Sequence, residues 1–236
     1  MRFEYPPCIW DDLPVTLHSF AIVKIWYHTL HNMQIDFIFQ ILILIFSVVI
    51  HEVSHGFMAH SLGDNTAERA GRLTLNPLKH LEWFGSFILP VMSYFLGGFI
   101  IGWAKPVPYN PYNLRDQRWG EAKVAIAGPL SNICIALFFG LLVRFGVLAH
   151  FGDAFVYIAE MIVFINLILA TFNLVPVPPL DGSKILFSIF PNSMQDARTF
   201  LERNSLYIMI LFIFFLWQFI IPVVNIEFRL ITGLLV

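Results

Sequence analysis

Five long apolar blocks divide this chain, and each is close to the roughly 20 residues that cross a bilayer core as a helix. They span about residues 37–61, 84–101, 124–148, 154–175 and 207–224. Hydrophobic residues make up 58% of the sequence and charged residues 13%, whereas ordinary soluble domains carry about 25% charged residues. This composition excludes a soluble protein, and the net charge of −2 gives no indication of a nucleic-acid partner. We therefore predict an all-α polytopic membrane protein with about four to six membrane helices.

The segment before the first block is only moderately apolar. We divide the chain into an N-terminal extension, residues 1–34, and a single membrane domain, residues 35–236. One interpretation of the extension is an interfacial helix, because Trp10, Trp26 and Tyr27 suit the headgroup level. The other is that translation naturally begins at Met33.

The first apolar block contains the pattern H-E-x-x-H at His51-Glu52-Val53-Ser54-His55. Residues four apart share a face of a helix, so His51 and His55 are placed to bind one metal ion. Glu52 then lies beside that metal, where a general base is needed. Ionisable groups at membrane depth are costly and mark functional sites by default. The pattern predicts a zinc hydrolase that works inside a bilayer.

A catalytic zinc site takes three protein ligands and keeps one open position. The acidic and imidazole side chains downstream that qualify as the third ligand are Asp64, Glu68, His80, Glu82, Asp153, Glu160 and Asp181. Asp64 follows Gly63 and suits a turn cap, and His80 is most simply a surface histidine. Asp181 follows a proline-rich stretch at a membrane boundary, where non-helical backbone is tolerated only next to protein or water. Asp181 is therefore well placed to enter a buried site, and Glu160, isolated inside the fourth block, is the runner-up.

Several unusual short motifs occur in order along the chain. They are His51-Glu-Val-Ser-His55 with Leu62-Gly-Asp64, Gly71-Arg-Leu-Thr-Leu-Asn-Pro77, Gly102-Trp-Ala-Lys-Pro-Val-Pro108, Ala127-Gly-Pro-Leu-Ser-Asn132, and Phe172-Asn-Leu-Val-Pro176 running into Pro179-Leu-Asp-Gly182. Together they cover roughly residues 35 to 190. In this order they resemble the site-2 protease family of intramembrane zinc metalloproteases, in its compact bacterial form without PDZ or CBS domains.

The resemblance implies a zinc-dependent endopeptidase that cleaves in or near a transmembrane helix of a membrane-protein substrate. The family's third zinc ligand corresponds to Asp181, so that one Zn2+ ion is held by His51, His55 and Asp181. Glu52 corresponds to the catalytic general base. Asn173 corresponds to an asparagine implicated in handling substrate near the metal, including the developing oxyanion. The other interpretation of Asn173 is a helix C-terminal residue that bonds the adjacent turn.

Two other functions stay open on the sequence. One is a membrane zinc transporter that uses the same ligands without hydrolysis, and the other is a non-catalytic relative that holds substrates. Transporters typically carry polar groups along a path through both leaflets. Here the polar groups gather near one face, which favours the protease.

The predicted ligands also constrain topology. His51 lies 14 residues past Phe37, which is about 21 Å along a helix and about two-thirds across a bilayer core. For Asp181 to reach the same depth, the second block must leave and return on one side. We therefore predict that residues 84–101 form a re-entrant or bent hairpin, with Pro90 or Gly97-Gly98 at the bend.

That arrangement collects ten of the 14 Lys and Arg residues on the face nearest the metal. The positive-inside rule makes this face cytoplasmic, in a multi-pass protein of the cell membrane. Residues 72–75 and 104–108 flank the hairpin, and their pattern suits short β-strands near the active site, one of them an edge strand that pairs with substrate. Ordinary membrane-surface loops are the alternative interpretation.

Overall fold

The computed structural model describes residues 33–97, 105–190 and 195–234. The N-terminal extension, apart from its last two residues, lies outside this part of the chain. The main helices are α1 (Met33–Ser61), α2 (Leu89–Gly97), α3 (Gly120–Arg144), α4 (Asp153–Asn173), α5 (Asp181–Ile189), α6 (Gln195–Arg203) and α7 (Ser205–Thr232). Short helical turns connect them at Thr66–Arg69, Pro77–Lys79, Pro111–Asn113 and Leu148–Phe151, and a π-helical segment, Phe84–Ile88, leads into α2.

Within the described residues, three helical stretches are long and apolar enough to cross a membrane, namely residues 37–61 of α1, the whole of α3 and the whole of α4. They correspond to the first, third and fourth predicted blocks, although α3 begins and ends four residues earlier than expected. The fifth block was expected to end near residue 224, but α7 continues to Thr232. In this added stretch Glu227 is bonded from another helix, since the Thr171 hydroxyl of α4 donates to Glu227 Oε2 at 2.9 Å.

Helix α3 is the centre of the fold, because it packs against α1, α4, α5 and α7. The main core lies between α3, α4 and α7, with contributions from Ala136, Val163, Leu167, Leu180, Ile220, Val224 and Phe228. Gly140 lets α7 approach closely, since a Cβ atom there would lie 2.3 Å from Ile231 Cγ2. On another side, α3 packs against α1, which carries the H-E-x-x-H pattern.

Asp64 fastens the end of α1 to the loop that precedes α3. It is fully buried and accepts hydrogen bonds from the Asn110 backbone N–H at 2.6 Å, the Asn113 side chain at 2.8 Å and the Thr66 hydroxyl at 2.6 Å. Burial alone would raise the pKa of Asp64, but these donors lower it below its ordinary value, so the side chain is a carboxylate. The turn cap expected from the sequence is therefore also a cross-link, and α3 starts on the side where α1 ends.

The chain around the predicted hairpin leaves and returns at one place, because the Lys105 backbone N–H donates to His80 O at 2.8 Å. The helix from Phe84 to Gly97 runs through Pro90 without a break, and residues 98–104 lie outside the described part. His80 was expected at the surface but is fully buried. Its Nε2 bonds Thr74 O at 2.8 Å inside this loop.

The short β-strands expected near the active site are absent from residues 72–75 and 105–108, the described parts of those stretches. In the second stretch Pro106 and Pro108 have no backbone N–H to donate. The Val107 N–H donates to a side chain instead. These residues lack the regular series of N–H donors that a β-ladder needs, and the Lys105–His80 bond stands alone.

Candidate metal centre

His51, His55 and Asp181 converge on one point, although Asp181 lies 130 and 126 residues away in sequence. The Nε2 atoms of the two histidines are 3.0 Å apart, and each lies 3.1 Å from Asp181 Oδ2. All three side chains are buried, at most 9% exposed. Helix α1 presents the two imidazoles on one face, and the start of α5 presents the carboxylate. Among the described residues this is the one group of three or more such side chains close enough to bind a metal ion.

The hydrogen bonds on the far sides of the rings determine what the three atoms offer. His55 Nδ1 is 2.7 Å from Val124 O, and His51 Nδ1 is 2.6 Å from Asn132 Oδ1. Both partners are carbonyl oxygens that only accept, so in the neutral rings each Nδ1 carries the proton and each Nε2 presents a lone pair. Two lone pairs and a carboxylate oxygen therefore face one another within 3.1 Å. A metal cation bound to all three atoms relieves this arrangement, so the residues fit a zinc ion.

Gly128 makes room for the imidazoles. A Cβ atom at this position of α3 would lie 2.4 Å from His55 Nε2 and 2.6 Å from His51 Nε2. Real Cβ atoms do not approach other atoms this closely, so any larger residue would displace the rings. Gly128 therefore permits close packing of α3 directly against the candidate ligands.

Gly182 performs the same task for the carboxylate. A Cβ atom there would lie 2.2 Å from Leu174 O and 2.5 Å from Val175 O. These atoms belong to the backbone at the end of α4, so they cannot rotate away. The glycine after Asp181 thus lets α5 begin tightly against the end of α4, and this placement carries Asp181 to the histidines.

Glu52 is half-buried on α1 next to His51. Its Oε2 accepts a hydrogen bond from the Val107 backbone N–H at 2.8 Å. Val107 is 5% exposed and packs over Gly56, where a Cβ atom would lie 2.8 Å from Val107 Cγ1. The segment Lys105–Tyr109 therefore lies against α1 at Val107 and holds the carboxylate that the sequence assigns as general base.

Lys184 brings a positive charge to the edge of this group. Its Nζ lies 3.4 Å from Asp181 Oδ1 and 5.4 Å from the centre of the Tyr109 ring. Burial would lower the pKa of Lys184, but Tyr109 and Asp181 raise it above its ordinary value, so the ammonium is charged. It offsets part of the negative charge of the two carboxylates.

Asn173 is the last residue of α4, and its Nδ2 donates to Leu169 O at 2.9 Å within the same helix. Asn173 is therefore helix C-terminal, but this bond lies within α4 and not in the adjacent turn, and a role toward substrate stays a prediction. Glu160, the runner-up ligand, is half-buried on α4 and is not part of the group.

Three participants went unrecognised in the sequence: Val107, Lys184 and Asn166. Asn166 is a fully buried amide on α4 that bonds Asn132 at 2.8 Å. A signal was present for Asn166, since an amide inside an apolar span needs a partner. No local pattern indicated that Val107 bonds Glu52.

The chain matches peptidase family M50 over residues 39–163 and again over residues 146–216. It is 36% identical over 190 residues to a Bacillus subtilis protein named "Putative zinc metalloprotease YwhC", which covers 78% of this chain and 81% of that relative. It is 30% identical to "Putative zinc metalloprotease MJ0611" of Methanocaldococcus jannaschii, over 67% of this chain and 80% of the relative. A Mycolicibacterium smegmatis protein, "Putative zinc metalloprotease Rip2", is 35% identical over 58% of this chain and 51% of its own length. No solved structure is significantly similar to the chain.

Proposed function

Since this chain belongs to peptidase family M50 and is a zinc metalloprotease of the membrane, we propose that it cleaves peptide bonds in or near a transmembrane helix of a membrane-protein substrate. In this proposal one Zn2+ ion is held by His51, His55 and Asp181, and Glu52 is the general base. This cleavage is a step of regulated intramembrane proteolysis.

One observation carries the proposal. Two imidazole lone pairs and a carboxylate oxygen meet within 3.1 Å beside a helix that is long and apolar enough to cross a membrane. Buried acceptors that face one another without a proton between them are costly unless a cation joins them. Glu52 adjoins His51 in sequence, which supports hydrolysis over transport, because a transporter has no need of a general base there.

The residues of the chain divide the chemistry between them. When bound, zinc supplies Lewis-acid chemistry, which polarises a scissile carbonyl and makes water a stronger nucleophile near neutral pH. Glu52 accepts the proton of the attacking water and returns it to the leaving amine. The Val107 N–H, at 2.8 Å from Oε2, limits where this carboxylate can point. Lys184 lowers the cost of assembling two carboxylates at one buried place.

The segment Lys105–Tyr109 is the surface we propose for the substrate backbone. Pro106 and Pro108 have no N–H, and the Val107 N–H is already bonded to Glu52. The stretch 106–108 therefore offers a substrate only carbonyl acceptors, which suit the free N–H groups of an unwound helix. A transmembrane helix hides its carbonyls in its own hydrogen bonds, so substrates with helix-weakening residues near the cleavage site are expected to be cut best.

We further propose that the metal lies nearer the cytoplasmic face and that residues 84–101 re-enter the membrane. The Lys105–His80 hydrogen bond supports re-entry, because both ends of the segment meet. The positive-inside rule supports the orientation. Cysteine-accessibility labelling of Thr74→Cys and Asn110→Cys in intact vesicles tests both points. Labelling from the cytoplasmic side at both positions is expected, and opposite sides would refute the topology.

Cleavage by the purified chain tests the activity. The full chain is reconstituted in lipid with a model single-span substrate, and cleavage is followed by gel shift and mass spectrometry. Cleavage is expected with zinc and is lost with a chelator or in Glu52→Gln, which keeps its zinc. Equal cleavage by Glu52→Gln would overturn the proposed mechanism, and zinc transport across the vesicle without cleavage would favour a transporter.

A further inference from the structure

Three buried polar side chains from three helices lie in a row beside His51. They are Ser47 on α1, Asn132 on α3 and Asn166 on α4, at most 4% exposed. A buried amide is costly unless its donors and acceptors are bonded. All three residues sit inside helices that are apolar enough to cross a membrane, where such groups mark function by default.

The row begins at Asn166, whose orientation is fixed by its own helix. Its Nδ2 donates to Ile162 O at 2.8 Å and to Ser47 Oγ at 2.9 Å. The Ile162 carbonyl can only accept, so the nitrogen of the amide must face it. Asn166 Oδ1 therefore faces the other way, toward α3, and accepts from Asn132 Nδ2 at 2.8 Å.

The orientation of the Asn166 amide determines that of the Asn132 amide. Its Nδ2 donates to Asn166 Oδ1 and, at 3.3 Å, to the Ser47 carbonyl. A flipped amide would set its oxygen against two acceptors, so Oδ1 is left to face His51. The 2.6 Å contact with His51 Nδ1 is therefore an N–H donated by the ring, and Nε2 keeps its lone pair toward Asp181.

We propose that Asn132 is the positioning residue that fixes the ring orientation and tautomer of His51, and that Asn166 acts through Asn132. This inference rests on the proposed function in taking His51 as a zinc ligand. The two ligands differ in this respect, because His55 is held by a backbone carbonyl, Val124 O at 2.7 Å. The orientation of His51, unlike that of His55, depends on side chains of two other helices, namely Asn132 on α3 and Asn166 on α4.

A purely structural role is the competing explanation, since the same bonds tie α1, α3 and α4 together. A structural role predicts lower thermal stability in variants but an unchanged affinity of the folded protein for zinc. A positioning role predicts that zinc affinity falls and that the proton of the metal-free His51 ring redistributes. Removing such an outer partner of a ligating histidine typically costs about 10- to 100-fold in metal affinity.

Two measurements on the full chain in detergent separate these roles. The first is the 15N shift of the His51 ring nitrogens in metal-free protein, at a pH where imidazole is neutral. The second is zinc affinity, by competition with a fluorescent chelator. The variants are Asn132→Leu and Asn166→Leu, which replace each amide by an apolar side chain with the same branching. Thr232→Val is the matched control, because this buried hydroxyl bonds nearby main-chain atoms at the end of α7, donating to Phe228 O and accepting from the Leu234 N–H.

The wild-type ring is expected to carry its proton on Nδ1. Asn132→Leu is expected to mix the tautomers and weaken zinc binding about 10- to 100-fold. Asn166→Leu should lose less, since the Ser47 carbonyl still orients Asn132, and Thr232→Val should lose none. A wild-type proton on Nε2 overturns the proposal without any variant, as does unchanged zinc affinity in Asn132→Leu. If His51→Ala kept its zinc, the proposed ligand set itself would fail instead.

Discussion

Gly128→Ala is the substitution that tests the crowding of the metal centre most sharply. The new Cβ atom would lie 2.4 Å from His55 Nε2, 2.5 Å from His55 Cε1 and 2.6 Å from His51 Nε2. The His55 ring would have to retreat by about 1 Å to reach ordinary van der Waals contact. It cannot do so freely, because His55 Nδ1 is hydrogen-bonded to Val124 O, which lies one turn before Gly128 on α3.

The strain falls mainly on the zinc-bound state, since the rings escape only by leaving the ligating position. Overpacking of this kind costs about 1–3 kcal/mol, which corresponds to about a 5- to 150-fold loss of zinc affinity. The assay is competition with a fluorescent chelator on the full chain in detergent, with thermal unfolding measured alongside.

Gly140→Ala is the matched control on the same helix. Its Cβ atom would meet Ile231 Cγ2 at 2.3 Å, so the two substitutions share helix propensity and a comparable clash. Gly140→Ala is expected to lower thermal stability while zinc affinity stays at the wild-type value. Wild-type zinc affinity in Gly128→Ala would refute the packing of α3 against the two imidazoles.

Three further substitutions test separate contacts. Val107→Pro removes the N–H from which Glu52 accepts a hydrogen bond. Cleavage is expected to slow about 10- to 100-fold at full zinc content, because a hydrogen bond to a charged group contributes about 1.5–3 kcal/mol. Val107→Ala keeps the N–H, and an equal loss in both variants would argue against this role. Asp181→Asn is expected to lose zinc on dialysis, as measured by metal analysis, and retention of wild-type zinc would argue against ligation. Gly182→Ala sets a Cβ atom 2.2 Å from Leu174 O and is expected to lower both the thermal midpoint and the zinc content; an unchanged melting curve would contradict the tight turn.

The long helices and the two imidazoles were predictable because their signals are local. Apolar runs of about 20 residues define α1, α3 and α4, and four-residue spacing puts His51 and His55 on one face. Asp181 was open on residue chemistry alone, and the motif resemblance selected it. The structure brings its Oδ2 within 3.1 Å of both histidines.

The features that the sequence missed depend on which distant segments pack together. Val107 reaches Glu52 across 55 residues, and Thr171 on α4 bonds Glu227 in the part of α7 beyond residue 224. The expected strand at residues 104–108 was wrong for its described part, because two prolines remove the donors that a β-ladder needs. His80 was expected to be a surface residue, but it is buried and bonds Thr74 O, six residues earlier in the same loop.

Zinc X-ray absorption of the full chain, in a background of Cys8→Ser and Cys134→Ser, tests the central claim most directly. We expect one zinc with two imidazole nitrogens at about 2.0–2.1 Å and otherwise oxygen ligands. In Asp181→Cys a sulfur ligand at about 2.3 Å is expected to replace one oxygen. A fully loaded Asp181→Cys protein with no sulfur in its zinc shell, or a third imidazole in the parent, would contradict the ligand set of His51, His55 and Asp181.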